Sequence, residues 1–175
     1  MIDRLIDTGG DPIALLILDA CVLIDYLKAE PALFGFITEN VGPVHVVSTV
    51  YEEVTQLTSM QHMADLGIVL VEPEIEDAFE AMRMTGSTSF QDNICLLTAK
   101  RLGMTCVTND KSLRNACSEY DVPIMWGLEL LLLLVRSGGL DHNSAIEIGR
   151  QIHADNPRHI SSWIIADFEK KLLAI

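Results

Sequence analysis

Basic residues are scarce in this chain: 12 Lys and Arg stand against 25 Asp and Glu, a formal net charge of −13. Proteins that grip nucleic acid along its backbone neutralise phosphates with Lys and Arg, so a general electrostatic hold of that kind is excluded. Any nucleic-acid contact has to be local or metal-assisted. Most of the surplus acid serves solubility, and it also suits a basic partner. Cysteine is sparse too. Cys21, Cys95, Cys106 and Cys117 contain no CxxC pair and lie in or beside expected strands and helices, so they read as buried, reduced thiols of a cytoplasmic protein. The six prolines and eleven glycines are scattered, which leaves no linker, low-complexity tract or repeat. Long apolar runs are missing as well: LELLLLLV falls far short of the roughly 20 residues of a membrane span. DPIALLILDAC imitates a cleavage box through Leu18, Ala20 and Cys21. However, Asp3, Asp7 and Asp11 give the wrong preceding charge, and Asp19 interrupts the apolar core. A soluble protein is expected.

What is present is 49% hydrophobic content over 175 residues, enough for one globular domain with a sizeable core. ALLIL at 14–18 has the length and apolar continuity of a strand covered on both faces. CVLIDYLKA reads as a helix, and PALFGFITEN as another with Pro31 at its first position. VHVV at 44–47 is a strand; Thr49 and Glu52 then have capping-box spacing for the next helix. GIVLVEP reads as a strand and IEDAFEAMRM as a helix. Ser89 and Asp92 repeat the capping-box spacing ahead of a helix that Gly103 stops. MTCVT, KSLRNACSEY and VPIMW continue as strand, helix and strand. From Gly127 the pattern is helical, and Ile160, Ile164, Phe168 and Leu172, with Trp163 beside them, form a stripe that packs on the same core or on a second subunit. Alternating strands and helices predict an α/β chain: a three-layer α/β/α sandwich around a mostly parallel sheet over 1–126, with a helical extension over 127–175.

Four carboxylates stand out. Asp19 ends ALLILD, Asp110 ends MTCVTND, Asp92 opens a helix, and Glu53 lies within STVYEEVTQL. Carboxyl ends of parallel strands share one edge of the sheet, so these acids are expected to converge on one crevice. Each aspartate alone has an ordinary explanation as a helix cap worth about 1 kcal/mol. Together they repel one another, and no Lys or Arg precedes them, so a bound cation is the expected neutraliser. Glu53 is expected to fall within the buried stripe of Val50, Val54 and Leu57, where a carboxylate needs a partner or a metal. Oxygen ligands select Mg²⁺ or Mn²⁺ over zinc. His45, His62, His142, His153 and His159 show no ligand spacing. Thr108 and Asn109 beside Asp110, and Ser48 near Glu53, are candidates to orient the carboxylates or a water.

These residues carry a resemblance. LDACVLIDYL, VVSTVYEEV, SFQDNICLLTAKRLG and VTNDKSLR, in this order over about 14–126, resemble the motifs of PIN-domain nucleases, and the helical tail resembles that of the prokaryotic toxin-like kind. The resemblance implies an α/β/α fold in which Asp19, Glu53, Asp92 and Asp110 bind Mg²⁺ or Mn²⁺ and hydrolyse RNA. It also implies a single-stranded RNA substrate, a small antitoxin partner and a homodimer. One departure is Cys21, where the family often has a polar residue two places after the first aspartate.

Two other readings compete. A phosphatase using Asp19 as nucleophile wants a second aspartate two residues on, where Cys21 stands. An inactive scaffold or regulatory partner would use the helical tail for binding. A receiver domain is also α/β and acidic, but this chain lacks a suitably placed acidic pair before a phosphorylatable aspartate.

Overall fold

The computed structural model describes residues 15–175; Ala14 and the Asp3, Asp7 and Asp11 pattern lie outside the described residues. Five strands form one all-parallel sheet: β1 (Leu16–Leu18), β2 (Val44–Val47), β3 (Ile68–Val71), β4 (Thr105–Val107) and β5 (Ile124–Met125), in the order β3-β2-β1-β4-β5. β1 is buried at every position and pairs with β2 and β4, which is why it can be apolar throughout. The ten helices of the described residues are α1 (Ala20–Ala29), α2 (Leu33–Asn40), α3 (Ser48–Glu53), α4 (Met60–Asp65), α5 (Ile75–Arg83), α6 (Phe90–Leu102), α7 (Lys111–Glu119), α8 (Gly127–Arg136), α9 (His142–Asp155) and α10 (Ser162–Leu172).

From β1 the chain steps through β2 to β3, then returns past β1 to β4 and β5. Right-handed crossovers made in opposite directions put their helices on opposite faces, so α1 to α4 cover one face and α6 and α7 the other. This is the expected α/β/α sandwich. The reversal places a topological switch point between β1 and β4, where an open parallel sheet leaves a crevice at its carboxyl edge.

The last three helices are layered onto the first face. α9 packs on α1, α8 on α2, and α10 on α8 and α9. Tyr26 of α1 donates its hydroxyl to the Gly127 carbonyl at 2.6 Å, and Ile152, Ile160, Phe168 and Leu172 join the core that contains Leu16, Phe34 and Leu130. The buried stripe of α10 is Ile165, Phe168 and Leu172. Ile164 is half-buried, and Trp163, expected beside the stripe, is 76% exposed.

Local signals held where their chemistry was complete. Ser89 and Asp92 form the reciprocal capping box of α6, and Gly103 ends that helix at φ 65°, a conformation that costs glycine little. Elsewhere the chain departs from expectation. α2 begins at Leu33, leaving Pro31 in the preceding turn. α3 begins at Ser48 with Val47 as its cap, so Thr49 is inside the helix, and its hydroxyl oxygen is buried without a hydrogen-bond partner.

The four thiols are free. Cys95, Cys106 and Cys117 are buried, and Cys106 is held far above the ordinary thiol range by hydrogen bonds with Cys117 and Cys95 and by burial. Half-buried Cys21 is raised as well, by burial first and then by Asp19 and Asp25. A disulfide-exchange reagent added to the native protein should therefore label at most Cys21, and slowly, with all four thiols reacting once the chain is unfolded. Rapid labelling of two or more in native buffer would contradict this packing.

Candidate active site

The carboxyl edge of the sheet gathers the aspartates. Asp19 follows β1 and caps α1, accepting from the Val22 amide at 2.8 Å. Asp110 follows β4 and caps α7, accepting from the Leu113 amide at 2.9 Å. Asp92 sits in the first turn of α6, accepting from the Ser89 amide at 3.0 Å. All three therefore do the structural work that capping predicts, and each does so with one carboxyl oxygen. The second oxygen of Asp19 accepts the Thr108 hydroxyl, and that of Asp110 lies 3.8 Å from His159 Nδ1.

Thr108 links the two strand-end acids. Its hydroxyl donates to Asp19 and accepts from the Asp110 amide at 3.0 Å, and it is fully buried. Asp19 itself is only 2% exposed, and its carboxyl is pushed up from 3.8 to about 7. Burial is the main cause; the hydrogen bonds from Thr108 and Val22 oppose it, and the charges of Asp92 and Asp110 add to it. The acids thus feel one another across the crevice.

Glu53 is the correction. It is the last residue of a six-residue helix, Val54 is already extended, and the side chain is exposed. Val50, Val54 and Leu57 are buried, but no continuous helix makes a stripe that includes Glu53, so the argument from the cost of burial fails. Its carboxyl is still raised, first by partial desolvation and then by Asp92, which puts it within electrostatic reach of that acid. Ser48 turns elsewhere and donates to Glu72 at 2.7 Å.

A fifth acid was missed. Asp25, 6% exposed on α1, accepts from Asn109 Nδ2 at 3.1 Å and from Asn156 Nδ2 at 3.1 Å. Its carboxyl is raised by burial, against the two amides, His159 and Lys28. Asn109 also accepts from the Gly127 amide at 3.0 Å, so it serves the junction between α1, α8 and the α9–α10 loop rather than the strand-end carboxylates. The available signal was an aspartate inside the apolar run CVLIDYL, the same argument that was applied to Glu53.

Arg114 was missed as well. It follows Asp110 by one helical turn, and its guanidinium stacks on the Trp126 ring at 3.6 Å from the centroid, with Nη1 buried and without a hydrogen-bond partner. Burial draws its pKa down, and Asp110 and Asp19 draw it up. A cation thus already stands beside the acids, so their repulsion does not by itself demand a metal. Together with His159 at Asp110, it makes the crevice less purely acidic than the sequence implied.

The chemistry of the donors fits a hard divalent ion: carboxylates, one of them buried, and a hydroxyl. The side chains do not form a closed set. Among the described residues, no three His, Cys, Asp or Glu groups stand close enough to hold an ion as they are. Coordination by these acids would require side-chain movement toward a common point.

The fold has a counterpart among solved structures. A PilT N-terminus domain protein from the hyperthermophilic archaeon Sulfolobus solfataricus superposes with a TM-score of 0.52 at 13% identity, covering 70% of this chain and 92% of that one. No family model matches the chain, and no curated protein does. The fold is PIN-like.

Proposed function

We propose that this protein is a metal-dependent ribonuclease whose crevice is formed by Asp19, Asp92 and Asp110, with Glu53 at its rim. The observation that carries the reading is Asp19: a buried carboxyl at a sheet switch point, raised by burial and by two further acids, is the kind of perturbed group that marks a reaction centre. A PIN-like fold in an archaeal PilT N-terminus domain protein agrees with it. Mg²⁺ or Mn²⁺ bound by Asp19, Asp92 and Asp110 would supply Lewis acidity and a hydroxide source. Thr108 holds the Asp19 carboxyl in place and ties it to the start of α7. Arg114, flattened against Trp126, brings to the crevice a cation that suits a phosphate, which a chain of net charge −13 otherwise provides sparingly.

A second reading is an inactive PIN-like binding protein, favoured by the open arrangement of the acids. An antitoxin partner, with the protein as the toxin of such a pair in the cytoplasm, belongs to the nuclease reading alone. Among the described residues no helix is long and apolar enough to cross a membrane.

Mn²⁺ titration with thermal melting tests the choice. At 100 times the dissociation constant an ion bound only by the folded state adds about 2.7 kcal/mol, or roughly 5–10 °C for a chain of this length. The same Mn²⁺ should switch on cleavage of a labelled single-stranded RNA. An unshifted melt and an intact RNA would leave the binding protein as the answer.

A further inference from the structure

Both tryptophans of the chain border one groove. It lies between α8 and α10, has a volume of about 220 Å³, and is floored by buried Leu128, Leu132 and Phe168. Half-buried Trp126 reaches it from the start of α8, and Trp163, 76% exposed, from the first turn of α10. Trp163, Asp167 and Lys171 follow one another at intervals of four residues, so they share the face of α10 that lines the groove. Pockets for drug-sized ligands begin at about 300 Å³, so this smaller space suits a single flat ring system.

Position and charge identify the occupant. The Trp126 ring carries the Arg114 guanidinium 3.6 Å from its centroid, and Arg114 stands one helical turn after Asp110. The groove is thus continuous with the acidic crevice, and a nucleotide whose phosphate meets Arg114 has its base beside Trp126. The charged groups of the groove are Glu129, Asp167 and Lys171, and Lys171 is held by Asp167 at 2.7 Å. Among the described residues it therefore offers a phosphate no spare cation. It does offer carboxylate oxygens, which only accept hydrogen bonds. Glu129 gives one of its oxygens to the Trp126 amide at 2.9 Å and keeps the other for a ligand. Guanine presents a ring N–H and an amino group side by side on its Watson–Crick edge, whereas uracil presents one N–H between two acceptors that a carboxylate repels.

We propose that the groove between α8 and α10 is a guanine subsite, in which Trp126 and Trp163 stack the base and Glu129 and Asp167 accept from its Watson–Crick edge. The inference rests on the ribonuclease reading, which makes the base part of a single-stranded RNA running out of the crevice. Stacking tolerates every base, so the carboxylates supply the selectivity.

The chain has two tryptophans and both line this groove, so intrinsic fluorescence reads it directly. In metal-free buffer with EDTA, guanosine monophosphate should quench that fluorescence saturably, at concentrations about tenfold lower than uridine monophosphate requires. A labelled single-stranded RNA with one guanine among uracils should bind about tenfold tighter than its all-uracil counterpart. Trp163→Ala, on an exposed side chain, should weaken binding of the guanine RNA about tenfold with an unchanged melting curve. Glu129→Gln with Asp167→Asn keeps an oxygen for the Trp126 amide and for Lys171, and should bring the two RNAs to equal affinity. Equal quenching by the two nucleotides, native binding by Trp163→Ala, or a guanine preference that survives the double variant would each overturn the proposal. So would quenching by an arginine-rich peptide and not by guanosine monophosphate, which would give the groove to a basic protein partner. Cleavage with Mn²⁺ is scored separately. RNA cut without a guanine preference in binding would remove the subsite and leave the ribonuclease; guanine-selective binding without cleavage would do the reverse.

Discussion

Asp19→Asn is expected to lose RNA cleavage by about a hundredfold or more, yet to melt higher than the native chain at pH 8. The activity loss follows from removing the buried acid at the centre of the proposed crevice. The gain in stability follows from the same burial. In the folded chain the Asp19 carboxyl stays protonated up to about pH 7, whereas an unfolded chain releases that proton near 3.8. Between those values the folded state binds the extra proton, so stability falls as pH rises through the window and the loss persists above it. A difference of that size corresponds to at most roughly 4 kcal/mol. Asparagine keeps an oxygen for the Val22 amide and carries no charge into the interior. In metal-free buffer the variant should melt about 4–10 °C above native at pH 8 and level with it at pH 4. Mn²⁺ should narrow the gap by stabilising the native chain alone. Equal cleavage by both proteins would remove Asp19 from the reaction; equal melting at both pH values would remove the account of its burial.

Gly149→Val should cost about 3 kcal/mol, seen as a melting temperature lower by roughly 6–12 °C. Gly149 is a buried position of α9 facing α10, and a Cβ there would stand 2.6 Å from Phe168 Cε1 and 3.3 Å from Ile165 Cδ1. Phe168 is itself 2% exposed, so the added side chain has to displace a buried ring. Glycine is thus the residue that lets the two tail helices meet. Alanine at this position should cost less, since its better helix propensity returns about 1 kcal/mol. A valine variant melting within about 2 °C of native would mean that α9 and α10 are not held together as described.

The parts of this fold legible in the sequence are those with short-range causes. VHVV becomes β2 over the same residues, and Ser89 with Asp92 starts α6 through bonds spanning three positions. The strand-end aspartates could be placed because a parallel sheet dictates where they go. Longer-range contacts were out of reach. Asn156 is 131 residues from Asp25, and nothing local to either reveals that they meet. Glu53 was misread for the opposite reason: apolar spacing implied a helix longer than α3, and tertiary packing buried Val54 and Leu57 beyond its end. Trp163 shows the same limit, since helical spacing cannot say where a stripe stops.

The capping geometry has one further consequence. Asp19, Asp92 and Asp110 mark the first turns of α1, α6 and α7, so the positive ends of three helix macrodipoles, each equivalent to about half an elementary charge, point toward the same opening. These partial positive charges offset part of the charge of the carboxylates that cap the helices, so an anion approaching the crevice meets less repulsion than the three acids alone would give.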